Sequence, residues 1–249
     1  MLISPSVSII LPTYNAARFL PRAITTALQQ THEDFELLVL DNASTDSTPD
    51  IVRDFQDRRL RYIQNSVNLG MVENINRGID IAAAPRAVIL CADDYWQSSF
   101  LERVLAMNYG RAELLFTNCT VLQGGNEILN LNVHHGYDVI PPWRLIRHLH
   151  GIPLSSLMFP ISGHKQRFDT RLPFNCDLEF VLRCMLKERF ALRFLDWPGV
   201  FVGLHDANET SHYDIRRENI KLLDIVSEYD VGHSVRLAIL AKKWRLLLG

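Results

Sequence analysis

The stretch Val7-Ser8-Ile9-Ile10-Leu11-Pro12-Thr13-Tyr14-Asn15 decides the fold. Val7–Leu11 is a short apolar run that stops at a proline, the pattern of a buried strand. Behind it, Phe19, Leu20, Ala23, Ile24, Ala27 and Leu28 recur at helical spacing, and Phe35–Leu40 (FELLVL) is a second buried strand closing on Asp41. Thr48 followed by Pro49 predicts a helix start, a capping hydroxyl and then proline at the first helical position; Ile51, Val52 and Phe55 face inward from that helix. Leu60–Ile63 reads as a third strand, residues 71–83 as a third helix, and Ala87–Cys91 as a fourth strand running into Ala92-Asp93-Asp94. A helix near Ser98–Leu105 follows. Strands separated by single helices need parallel crossovers, so the expected fold is α/β: a Rossmann-like, mainly parallel sheet flanked by helices.

In such sheets ligands sit at the carboxyl ends of the strands. Here those ends carry Thr13-Tyr14-Asn15, Asp41 and Asp93-Asp94. One polar strand end is ordinary loop chemistry, because Asn and Asp favour turns. Three in one sheet point to a crevice.

The 249 residues suffice for one large domain or a domain with a small appendage. With 47% apolar and 22% charged residues a full core is available. The formal charge of -2 argues against a nucleic-acid binder, which would carry a basic excess. Cys91, Cys119, Cys176 and Cys184 form no Cys-x-x-Cys pair and read as reduced thiols of a cytoplasmic protein. No Lys or Arg precedes Val7–Leu11, so that run is expected to be a strand and not a signal peptide. Nothing approaches ~18 uninterrupted apolar residues, so no spanning helix is expected.

The later chain is less regular. Residues 120–150 carry Gly124-Gly125, Pro141-Pro142 and a helix-like Trp143–His150, which reads as an insertion or a change at the sheet edge. His134 and His135 lie in it and read as surface residues. A strong helix spans Asp177 to Leu186, and the chain from Tyr213 onward is helical by period, with a break near Asp230–Gly232. The expected division is a domain over 1–212 and a helical tail over 213–249. The tail sets Val235, Ala238, Ile239 and Leu246–Leu248 beside Arg236, Lys242, Lys243 and Arg245. A basic amphipathic end can lie on an anionic membrane surface, at the inner face for a cytoplasmic protein, or can pack on its own domain. Both readings stay open.

Asp93-Asp94 is a pair of adjacent hard oxygen ligands. Two carboxylates repel, and a cation beside them relieves the repulsion. Mg²⁺ takes one or two carboxylates plus substrate phosphates, which suits a nucleotide diphosphate.

These residues carry a resemblance. Val7–Asn15, then Leu37-Leu38-Val39-Leu40-Asp41-Asn42-Ala43-Ser44-Thr45-Asp46, Asn68-Leu69-Gly70, Asn76-Arg77-Gly78 and Ala92-Asp93-Asp94 resemble the nucleotide-binding half of family 2 glycosyltransferases, inverting enzymes of GT-A fold. The likeness is strong over residues 6–100 and thinner over 155–211, so that 1–100 is the expected nucleotide-sugar half and 101–212 the acceptor half. The resemblance implies a nucleotide-sugar donor, a glycan or lipid-linked acceptor, and Mn²⁺ or Mg²⁺ as cofactor. It implies that Pro12, Thr13 and Tyr14 line the base pocket, that Asp41 accepts the ring N–H of the base, that Asp93 lies near the ribose and that Asp94 binds the metal. A carboxylate facing the base suits uracil or thymine, whose ring N–H cytosine lacks; guanine also has one. Arg61 and Asn68 are softer candidates for the same pocket.

The family often has Asp-x-Asp-Asp where this chain has Cys91-Ala92-Asp93-Asp94, and Cys91 is expected to pack rather than ligate. Phe168-Asp169 followed by Asn175-Cys176-Asp177-Leu178-Glu179-Phe180 and Arg183 resembles the segment whose Asp deprotonates the acceptor, with Cys176 at the family's Glu and Asp177 as base. A carboxylate at a helix start is expected to have a lowered pKa and to serve equally as a cap. His205, within Gly203–Ser211, resembles a His that joins the metal shell in some relatives. A sugar nucleotidyltransferase is the first rival reading, but the Gly-rich basic loop it needs is absent from Pro12–Arg22. A catalytically silent nucleotide-sugar binder is the second, supported by Cys91 and Cys176.

Overall fold

The computed structural model describes residues 5–107, 110–123, 126–131, 138–149, 152–161, 166–205 and 213–248. The predicted alternation is present: β1 (Val7–Thr13), α1 (Leu20–Leu28), β2 (Phe35–Asp41), α2 (Thr48–Arg53), β3 (Leu60–Gln64), α3 (Met71–Ile81) and β4 (Arg86–Ile89). Then come β5 (Tyr95–Trp96), α4 (Phe100–Ala106), β6 (Glu113–Gln123), β7 (Asn126–Leu131) and α5 (Pro142–His148). A 3-10 turn (Leu154–Ser156), β8 (Met158–Pro160), α6 (Cys176–Lys187), β9 (Ala191–Leu204), α7 (Ile215–Ser227) and α8 (His233–Leu248) complete the order.

The strands form one sheet in the order β3-β2-β1-β4-β8-β6-β9-β5, with β7 paired to β6. β1, β2, β3 and β4 are parallel, whereas β8 runs antiparallel to both β4 and β6. Alternate residues of the parallel strands feed two different cores, which is why their sequences read as continuous apolar runs. Ile10, Leu38, Leu40 and Ile89 face a core shared with α3, α5, α6, α7 and α8. Val7, Ile9, Leu11, Leu37, Val39 and Val88 face the other, with α1, α2 and α4. The result is a three-layer helix–sheet–helix sandwich, mainly parallel, as expected.

Close helix–sheet contact explains Gly78. A Cβ there would meet side-chain atoms of Ile10 and Leu40 at 2.6 Å, so α3 seats on β1 and β2 only with glycine at that turn. Pro12 is tolerated inside β1 because β4 pairing ends at Ile10↔Ile89, leaving no ladder acceptor for its missing N–H.

Several expectations need correction. The Thr48 hydroxyl does not cap α2; it accepts the Ala16 N–H at 3.0 Å and so joins two loops. β4 ends at Ile89 and not at Cys91, because the Cys91 N–H leaves the ladder for Ser155 Oγ at 2.9 Å. The region 120–150 is no mere insertion: it contains the end of β6, the paired β7 and α5. β9 has no plain strand pattern in the sequence, because Trp197-Pro198-Gly199 interrupts it; the ladder with β6 slips there, at Thr117 to Cys119. Gly124-Gly125, His134 and His135, residues 206–212 and hence the boundary at 212 lie outside the described residues. α7 and α8 contribute Leu222, Leu223, Val226, Val235 and Ile239 to the first core.

Candidate active site

β1 lies between β2 and β4, and the chain moves outward to β3 on one side before crossing back to β4 on the other. That reversal opens a crevice at the carboxyl ends of β1 and β4. Thr13-Tyr14 leaves one side of it and Asp93-Asp94 the other.

The β1 end is stitched to the β2 end by hydrogen bonds. The Asn15 and Ala17 N–H groups donate to Ser44 Oγ at 2.9 Å and Asp46 Oδ2 at 3.1 Å, and Thr45 N–H donates to Asn15 Oδ1 at 2.8 Å. Asn15 and Ala43 hold positive φ of 47° and 62°. Pro12 and Thr13 are buried in this frame, but Tyr14 stands 50% exposed, a ring free to cover a planar ligand. Asp41 is fully buried beside Thr13 in the parallel register. Its Oδ1 accepts Ser44 N–H at 2.9 Å; its Oδ2 accepts Tyr62 OH at 2.5 Å and Gln64 Nε2 at 3.0 Å. A carboxylate has about four acceptor sites, so a fourth donor can still be taken on Oδ1. Burial first, and then the bond to Asp41, hold the Tyr62 phenol well above its ordinary pKa, so it remains a donor.

Asparagines that single-residue reasoning passed over lock the neighbouring loop. Asn42 Nδ2 donates to Asn68 Oδ1, and Asn42 Oδ1 accepts Asn65 Nδ2 and Leu69 N–H. Asn74 on α3 accepts from Asn65 and donates to the Leu40 carbonyl. Asn68 is thus a strut. Arg61 pairs with Glu36 at 2.8 Å, at the amino ends of the strands and away from the crevice.

Across the crevice, ligand atoms of Cys91, Asp93 and Asp94 all lie within 4.8 Å of one another. Asp94 is buried; its Oδ2 accepts Ser155 OH at 2.5 Å and its Oδ1 accepts Gly203 N–H at 3.1 Å. Burial, and then the neighbouring Asp93 charge, push its carboxyl up to about 8. A carboxyl held so far up beside a second acid is a place where a divalent cation relieves the electrostatics, so the residues fit a Mn²⁺ or Mg²⁺ ion. Burial and the same acids push the Cys91 thiol well above its usual value, which keeps it neutral beside them. His205 presents Nε2 to Asp93 Oδ2 at 3.2 Å and stacks on Phe19, ring centroids 4.2 Å apart. The structure therefore sets His205 against Asp93 rather than Asp94.

Ser155 and Gly203 escaped sequence reasoning. Ser155 links the Cys91 N–H to Asp94, and its carbonyl accepts Trp96 Nε1 at 2.7 Å. At Gly203 a Cβ would stand 2.8 Å from the Asp93 carbonyl oxygen, so β9 approaches the acid loop only as glycine.

Asp177 sits one residue inside α6, after Cys176, whose thiol is near enough to Cys91 to influence its ionisation. Cys91 packs against the same core cluster that holds Cys176. Asp177 Oδ1 accepts the Leu178 N–H at 2.7 Å, a local cap, yet burial outweighs it and pushes the carboxyl up to about 6. The expectation of a helix-lowered pKa is therefore corrected, because desolvation wins over the helix N-terminus. The other nearby acids are committed. Arg171 chelates Asp169 and holds it below its ordinary value, while Glu179 is buried under Tyr229 OH at 2.5 Å and Arg183 Nε at 2.8 Å.

The fold matches solved structures. TarS 1-349 of S. aureus in complex with UDP-GlcNAc superposes with a TM-score of 0.78 over 97% of this chain and 72% of that one, at 18% identity. The mannosyltransferase PcManGT from Pyrobaculum calidifontis, in complex with GDP-Man and Mn2+, gives 0.68 over 100% of this chain and 71% of that one, at 18% identity. In sequence, the UDP-Glc:alpha-D-GlcNAc-diphosphoundecaprenol beta-1,3-glucosyltransferase WfgD of Escherichia coli is 33% identical over 135 residues, 54% of this chain and 51% of the relative. The matched stretch thus spans about half of that relative's length. Residues 8–180 match the model of "Glycosyl transferase family 2", and the chain belongs to that family.

Proposed function

We propose that the protein is a metal-dependent inverting glycosyltransferase that moves a sugar from a UDP- or dTDP-sugar to a hydroxyl of a glycan or lipid-linked acceptor. One observation carries this reading. The paired acids Asp93 and Asp94, set close enough together with Cys91 to share one cation, follow β4 at the carboxyl end of the sheet, beside the end of β1 that carries the exposed Tyr14 ring. The complexes of TarS with UDP-GlcNAc and of PcManGT with GDP-Man and Mn2+ support a nucleotide-sugar donor and a metal, and the printed substrate of WfgD supports a lipid-linked acceptor.

In this reading Tyr14 covers the base, with Pro12 and Thr13 forming the pocket floor, and Asp41 takes the ring N–H on its remaining acceptor site. Asp93 faces the ribose, held by His205. Asp94 holds the cation with His205 as a second candidate ligand; when bound, the cation supplies charge neutralisation to the departing diphosphate. Asp177 accepts the proton of the acceptor hydroxyl as that oxygen attacks the anomeric carbon from the face opposite the leaving group. A pKa of about 6 suits this task, since the acid is ionised at neutral pH yet basic enough to hold a proton in the transition state. Incubation with a panel of UDP-, dTDP-, GDP- and CDP-sugars and Mn²⁺, with release of the nucleoside diphosphate as readout, tests the reading. Turnover of a UDP- or dTDP-sugar is expected. Binding of a nucleotide sugar without turnover, across a panel of acceptors, overturns it in favour of a silent binder.

A further inference from the structure

Helix α8 is apolar on two opposite sides. Val235, Ala238, Ile239 and Leu246 pack into the core. Leu237, Leu240, Trp244, Leu247 and Leu248 recur at spacings of three and four on the opposite side, each between 53% and 77% exposed. A surface helix ordinarily turns charged and polar residues outward, and a contiguous outward apolar stripe marks a contact surface.

The charges around the stripe are arranged with equal regularity. On a 3.6-residue helix Arg236 falls beside Leu240 and Leu247 on one border, and Arg245 falls beside Ala241 and Leu248 on the other. Both arginines are exposed. The two lysines of the helix turn inward: Lys242 donates to the Arg147 carbonyl at 3.0 Å, and Lys243 pairs with Asp224. There is no acidic residue between His233 and Leu248. The end of the helix is tied down, because Arg216 donates to the Leu246 carbonyl.

From this arrangement we infer that the outer face of α8 docks on an anionic lipid surface, with Trp244 and the leucines entering the acyl boundary and Arg236 and Arg245 meeting phosphate headgroups. An apolar stripe bordered by cations along both edges is what an interfacial helix requires. A second copy of the chain is the poorer occupant. Pairing α8 with itself would bring arginine toward arginine, and the helix offers no acid to neutralise them. The inference stands independently of the transferase reading, because it uses no residue of the crevice.

Co-sedimentation of the full chain with phosphatidylcholine vesicles, with and without phosphatidylglycerol, tests it. Partition onto the mixed vesicles is expected, reduced by salt and weaker on phosphatidylcholine alone. Trp244→Glu and Leu240→Glu should each lower partition by roughly tenfold or more. Their thermal midpoints should stay put, since both side chains already face water. Arg236→Gln and Arg245→Gln should each lose about fivefold on the anionic vesicles alone, the effect of one basic side chain near such a surface. Failure of the wild-type chain to sediment with mixed vesicles overturns the inference. So does equal partition of wild type and Trp244→Glu. A dimer in light scattering that Trp244→Glu converts to monomer, without vesicle binding, overturns it and gives the face to a second copy.

Discussion

Asp41 and Asp177 are both withdrawn from water, and their surroundings differ in kind. Asp41, ending β2, accepts Ser44, Tyr62 and Gln64, and its loop is braced by a chain of asparagines. Asp177, opening α6, accepts only backbone N–H groups of the helix start among the described residues, and desolvation leaves it with a raised pKa. A carboxylate surrounded by donors is fixed in place and ready to read a partner's hydrogen-bonding pattern. One stripped of water with little compensation is ready to take a proton. The end of β2 is thus preorganised, and the start of α6 holds an acid with little compensation for its burial.

Asp94 should give the largest effect, because it belongs to both strategies: held by two donors, yet pushed up to about 8 by burial and Asp93. Asp94→Ala is expected to reduce Mn²⁺-dependent turnover to background and to weaken Mn²⁺ binding in the presence of UDP, read by electron paramagnetic resonance. Cys91→Ala should retain most activity. A folded but inactive Cys91→Ala would show that the thiol ligates. His205→Ala reads the same shell: loss of Mn²⁺ affinity makes His205 a ligand, and unchanged affinity makes it the holder of Asp93.

Asp177→Asn comes next. It keeps the shape and cannot accept a proton, so transfer should fall about 10² to 10⁴-fold while UDP binding is unchanged. The wild-type rate should drop as pH falls through about 6, where Asp177 becomes protonated, and that inflection should vanish in the variant. A retained inflection would move the base elsewhere. Asp169 and Glu179 are poor heirs, since Arg171 holds one and Tyr229 with Arg183 the other.

On the other side of the comparison, Asp41→Ala should weaken UDP by about 1.5–3 kcal/mol, the worth of a hydrogen bond to a charged group. Calorimetry finding UDP and CDP equally tight would remove Asp41 from base reading. The variant also strands three donors, so its folding stability must be measured beside it. Tyr62→Phe removes only one and should weaken UDP less.

The first half of the chain was legible because its parallel strands are short and end in polar residues, so period, punctuation and the carboxyl-end crevice coincide in Val7–Asn15 and Phe35–Asp41. The second half was not. β9 spans a Pro-Gly interruption that its neighbour β6 absorbs by slipping register, a tertiary accommodation no local pattern reveals. Ser155 is an ordinary turn serine until the fold carries it to Asp94. Gly203 had one available signal, a glycine near the end of an otherwise β-rich run, which often marks close backbone approach. The pKa of Asp177 is hidden from the sequence for a similar reason: the helix dipole is visible there, and the depth of burial is not.

The smallest expected effect separates those two influences on Asp177 by stability alone. A group whose folded-state pKa is raised, here from 3.8 to about 6, favours the fold when protonated. Its contribution is fully present below the unfolded value and is lost as pH rises through about 6, beyond which the fold carries the cost of a buried charge. Asn caps a helix about as well as Asp but carries no charge. Asp177→Asn should therefore melt several degrees above wild type at alkaline pH, the equivalent of about 1–3 kcal/mol, and alongside it near pH 4. If the helix N-terminus dominated instead, the variant would melt lower than wild type at alkaline pH, and Asp177 would be a cap whose charge the fold prefers. A gain in stability paired with the loss of transfer would mark Asp177 as an acid kept at the expense of the fold, in contrast to Asp41, whose burial three donors offset.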